Sequence, residues 1–154
     1  MISHTLRRLA TAVLLLVTLP AVAGQPLQVS DPWVREAPPT SRVLAGYLVL
    51  ENTTANSITV SAISSPDFES TEIHRTVIEE GIARMLPVRQ LDIPASGKFL
   101  LEPGGHHLMF FDPLRPLPEG ETVTLVIHLA DGTQISTTAP VIRKTGEDHS
   151  HHHH

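Results

Sequence analysis

The chain has 154 residues and no cysteine, and its eleven basic and sixteen acidic residues give a formal net charge of −5. Without cysteine there can be no disulfide, no thiolate metal site and no blue-copper electron-transfer centre, which needs a cysteine ligand. An acidic balance argues against nucleic acid and against an anionic membrane surface as partners.

Residues 1–23 read as a secretory signal. Arg7 and Arg8 form the positive region, Leu9 to Leu19 the apolar core, and Ala21-Val22-Ala23 the small-residue cleavage site. Cleavage is expected before Gly24. The apolar run falls short of the ~20 residues of a membrane span, and Pro20 ends it, so no stable membrane insertion is expected after cleavage. Lipid attachment at a cleavage-site cysteine is excluded by composition. Leu6 and Leu9 make a poor context for a twin-arginine signal, so general secretion to the periplasm is expected, with metal acquired after export. Loss of Arg7 and Arg8 leaves nine basic and sixteen acidic residues, a charge of −7. The remaining chain of about 130 residues is enough for one core. It divides into a β domain over 24–143 and a His-rich tail over 144–154.

From Leu27 onward, short β-rich runs alternate with Pro, Gly, Asn and Asp punctuation, the pattern of an all-β sandwich or barrel. No helical period is visible. Strands are predicted at Leu27–Val29 with Trp33–Arg35, Leu44–Glu51, Ile58–Ile63, Ser70–Val77 and Ile82–Pro87. Others follow at Lys98–Glu102, His107–Asp112, Thr122–Leu129 and Thr133–Ile142. Alternation puts Val123, Leu125, Ile127 and Leu129 on one face and turns His128 outward. In the same way Leu108 and Phe110 share the core face, which places His107, Met109 and Phe111 together on the outer or rim side. The short Ile78–Gly81 connection predicts a hairpin that brings His74 and Met85 side by side.

These four residues are the chemical signal. Apart from Met1, Met85 and Met109 are the only methionines, and Met109 stands two positions after His107. Uncharged thioethers beside neutral imidazoles are the donor set that selects Cu(I) over zinc, magnesium or calcium. Taken singly, each Met reads as core filler and each His as a satisfied polar residue. It is the spacing that reverses this reading: ten residues lie between His74 and Met85, twenty-one between Met85 and His107, and His107-Leu108-Met109 follows. His106 has the parity of Leu108 and Phe110 and reads as a loop or supporting residue. Trp33 and Tyr47 read as barrel packing, and Glu79-Glu80 as a solvated turn. No triad, phosphate loop or paired-carboxylate pattern points to an enzyme.

This His-x10-Met-x21-His-x-Met pattern resembles the PCuAC family of periplasmic copper chaperones. The likeness extends to Trp33, Arg35, Gly46-Tyr47, Gly104-Gly105 and Arg115-Pro116-Leu117. It implies a cupredoxin-like Greek-key β-barrel or sandwich with an exposed Cu(I) site formed by His74, Met85, His107 and Met109. It also implies delivery to the dinuclear copper centre of cytochrome oxidase, through its copper-bearing subunit or another copper-assembly protein. Ala83 and Phe111 depart from the extra methionines of many relatives, so relay thioethers are not expected there. In the tail, Asp148, His149, His151, His152, His153 and His154 offer borderline donors for Cu(II), as a native extension or as the remnant of a tag; the interruption at Ser150 favours a native one. Two other functions remain: copper buffering or resistance with the same ligands, and a β-sandwich interaction module without metal.

Overall fold

The computed structural model describes residues 24–144; the leader expected at residues 1–23 and the tail histidines His149 and His151 to His154 lie outside them. Ten strands follow in order: β1 (Leu27–Arg35), β2 (Val43–Asn52), β3 (Ile58–Ser64), β4 (Phe68–Glu79), β5 (Ile82–Val88), β6 (Leu91–Ile93), β7 (Lys98–Leu101), β8 (His106–Pro113), β9 (Thr122–Leu129) and β10 (Gln134–Ile142). The all-β expectation holds. Two local readings change. The runs at Leu27 and Trp33 are one strand, whose register against β2 shifts between Ser30 and Trp33, where Asp31 takes a φ of 50°. This is bulge geometry, and it interrupts the alternation that would have identified a continuous strand. Strand β6 was not expected, because three residues with Leu91 and Ile93 buried around an exposed Asp92 are too few to display a period.

The strands pair in the order β5-β4-β8-β7-β2-β1-β10-β9-β3-β6, and β8 also pairs with β2. The parallel β1–β10 pair joins the two limbs of this sheet. Folded over, they share one core: Leu44, Leu48, Leu50, Leu108 and Phe110 from one limb meet Val60, Ile63, Val123, Leu125 and Ile127 from the other. Phe68 stacks on Phe110 with ring centroids 4.6 Å apart.

This packing fixes the register of β8. Leu108 and Phe110 are fully buried, and burial of each such side chain is worth about 1.5–3 kcal/mol. A one-residue slip would move both onto the opposite face of β8 and send His107 and Met109 inward. Gly46 of β2 enforces the same fit, since a Cβ there would collide with the Phe110 ring. The core therefore dictates which side chains of β8 reach the opposite face.

Candidate metal centre

Three neighbouring strands put the four donors on one face. His74 of β4 is directly opposite His107 of β8, and Glu72 is opposite Met109. On the other side of β4, Thr76 is opposite Met85 of β5. Directly paired residues of antiparallel strands point the same way, as do residues two apart. His74, Thr76, Met85, His107 and Met109 therefore share a face. The hairpin is tighter than the four-residue connection expected, for only Glu80 and Gly81 lie between its strands, with φ of 51° and 79°. Both positive values mark the mirror-image turn that matches strand twist, and Gly81 adopts it without strain.

Hydrogen bonds orient the two imidazoles. His74 Nε2 lies 2.7 Å from Glu72 Oε2, and His107 Nδ1 lies 3.1 Å from the Gly105 carbonyl oxygen. Because a carboxylate and a carbonyl only accept, these nitrogens carry the protons and donate. His74 Nδ1 and His107 Nε2 then keep lone pairs. Both atoms are buried without a hydrogen-bond partner, and the ring centroids lie 6.1 Å apart. A carboxylate or carbonyl that fixes the tautomer while the other nitrogen stays open is the arrangement that metal-binding histidines require.

The His107 imidazole is deeper than the sequence suggested. His107 is 5% exposed rather than out on the rim, whereas Met85 is 57% exposed. A cavity of about 190 Å³ connects them, lined by Tyr47, Thr76, Met85, His107 and Met109. Tyr47 is paired with Trp33 across β1 and β2 and stacks on it at 4.5 Å, and it stands outside the core cluster. Tyr47 therefore lines the same cavity as His107 and Met109, with Trp33 packed against it from β1. No sequence period marks this role, because it depends on the β2–β8 pairing of Ala45 with Met109.

The remaining candidates fall elsewhere. His106 packs edge-on against Phe99 at 4.9 Å, and burial, with Arg75 and His107 nearby, lowers its pKa. His128 is half-buried, with Nε2 2.7 Å from Ser64 Oγ, instead of standing free in solvent. Ala83 and Phe111 share the donor face but bring no donor. A larger cleft of about 470 Å³ between Glu36–Ser41 and Pro113–Pro118 is lined without imidazole or thioether. Among the described residues no three His, Cys, Asp or Glu side chains cluster for a harder metal, and no helix is long and apolar enough to cross a membrane.

Comparison with known proteins gives concordant matches. The family model described as "Putative lipoprotein LpqE-like" matches residues 27–141. "Putative lipoprotein Lxx21020" of Leifsonia xyli subsp. xyli is 30% identical over 132 residues, covering 81% of this chain and 78% of that protein. The solution structure of apo-DR1885 from Deinococcus radiodurans is 30% identical, with a TM-score of 0.62 and coverage of 94% of this chain and 98% of that one. Its Cu(I) form matches with a TM-score of 0.59 over 77% and 78%. The copper-bound PCuAC domain from PmoF2, at 17% identity, shares the fold with a TM-score of 0.65 over 77% of this chain and 94% of that domain. The cupredoxin-like architecture expected from the sequence is thus the architecture found.

Proposed function

The chain belongs to the LpqE-like family, and from that premise we propose that it is an exported copper chaperone holding Cu(I) between His74, Met85, His107 and Met109. One observation carries this reading: two buried imidazole nitrogens without partners face the same side of the sheet as the only two thioethers in the described residues. Filling those lone pairs with an ion removes the penalty of leaving buried acceptors unmet. Neutral donors leave the ion's charge uncompensated, which favours a monovalent soft cation over divalent ones. The 30% identity to a protein solved with Cu(I) supports the choice of metal.

In this account copper is cargo. Buried imidazoles hold the ion from below, while the exposed Met85 is the donor that an incoming ligand displaces first. Delivery goes to the copper centre of cytochrome oxidase, through its copper-bearing subunit or another assembly protein, and no catalytic step is involved. Export through a cleaved leader places the protein in the periplasm. The relatives' names mark lipoproteins, but this sequence has no cysteine to carry a lipid. The tail histidines His149 and His151 to His154 would capture Cu(II) before reduction. Deleting the gene and measuring oxidase activity at limiting copper tests delivery. Loss of activity restored by added copper is expected, whereas normal oxidase with heightened copper sensitivity would assign buffering instead.

A further inference from the structure

Strand β5 ends the sheet: among the described residues it pairs only with β4, and six of its seven residues are exposed. The β4–β5 arm also outruns its neighbour. Thr76 N donates to the Gly105 carbonyl, just before β8 begins, and Val77 to Glu79 continue with β5 alone. In a two-residue hairpin the flanking residues, here Glu79 and Ile82, exchange backbone hydrogen bonds. Alternation then turns the N–H and C=O groups of Arg84, Leu86 and Val88 toward β4. Those of Ala83 and Met85 point to the open edge, as does the carbonyl of Pro87. The contact from Thr76 N to Gly105, on the opposite side of β4, agrees with this phase.

Met85 therefore has two exposed functions at one position. Its thioether belongs to the donor face, and its backbone belongs to an unpaired edge. Side chains on that face of the arm, Ile78, Thr76, Ala83 and Met85, carry no charge, although the protein as a whole is acidic. A strand added to this edge would direct alternate side chains onto the donor face beside Met85.

We infer that the free edge of β5 is a strand-pairing surface for the copper acceptor, engaging an extended segment that carries soft donors two residues apart. This rests on the Cu(I) reading of the donor face. Pairing along Ala83 to Pro87 aligns those donors with the ion. Each in turn replaces a protein donor, Met85 first. Copper remains Cu(I) throughout, and a thiol acceptor loses its proton to solvent as it binds. A second copy of the chain fits less well: it would bring to the edge only its own Met85, which its own site uses. An arm this short also offers little of the ~1,200 Å² that stable dimers bury. A brief, backbone-led contact suits a complex that must separate after transfer.

The test uses the copper-loaded full chain and a blocked heptapeptide in which two cysteines, two positions apart, alternate with valine and threonine. Amide hydrogen exchange should slow at Ala83 and Met85 when the peptide is added. Ala83→Pro removes an outward N–H without touching the β4 ladder. It should leave Cu(I) affinity unchanged and slow transfer to the peptide about tenfold, as expected for losing one or two backbone hydrogen bonds. Equal transfer rates in the folded variant, or protection on another surface of the wild type, would overturn the inference. Concentration-dependent protection of Ala83 and Met85 without peptide would also overturn it, by assigning the edge to self-association. Failure of the wild type to bind Cu(I) would instead refute the underlying metal reading.

Discussion

Two hydrogen bonds decide which nitrogen each imidazole can offer. Glu72 holds His74 and the Gly105 carbonyl holds His107, leaving Nδ1 of one and Nε2 of the other open toward the donor face. Glu72 should therefore matter without being a ligand. Glu72→Ala is expected to weaken Cu(I) binding about 10–100-fold, the usual cost of losing such a support, with an unchanged circular dichroism spectrum as the control for folding. The four candidate donors stand out in the sequence because their spacing is a one-dimensional pattern. Glu72 and Tyr47 do not, because their roles appear only when β4 pairs with β8 and β2 with β8.

At the scale of elements, β8 transmits core packing to the site. Leu108 and Phe110 face inward, and Gly46 leaves room for the Phe110 ring. Gly46→Ala should destabilise the fold by about 1–3 kcal/mol, the range for overpacking a well-packed core. Denaturant unfolding followed by Trp33 fluorescence would measure it. Strict alternation made β8 and β9 readable, because each has one face in the core and one outside. The same rule predicted the correct face for His107 but not its burial, since parity says nothing about what covers a face. Here Tyr47 of β2 lines the cavity that His107 and Met109 share. The bulge in β1 and the brevity of β6 broke the period, and there the strands were misread.

Across the whole molecule, an acidic chain folds one sheet over a single core and leaves an uncharged face of the β4–β5 arm, with Thr76, Ile78, Ala83 and Met85, beside its candidate donors. One polar clasp ties the segments after β1 and β10 together. Glu36 pairs with Arg143 and accepts a hydrogen bond from Glu119 N. Arg143 chiefly, with Glu119 N adding to it, holds the Glu36 carboxyl below its ordinary value of 4.5. A depressed folded value means that the clasp stabilises above about pH 4.5 and is lost as pH falls through that lower value. Glu36→Gln should therefore lower Tm at neutral pH, and its deficit against the wild type should close on acidification. Sequence pattern could not pair Glu36 with Arg143, which lie 107 positions apart. The measurement that bears most directly on the central claim is a Cu(I) competition titration on residues 24–147, which omit both leader and histidine tail. Tight one-to-one binding is expected, lost in His107→Ala and in Met109→Ala while both variants stay folded. Weak binding, or binding indifferent to those substitutions, would contradict it.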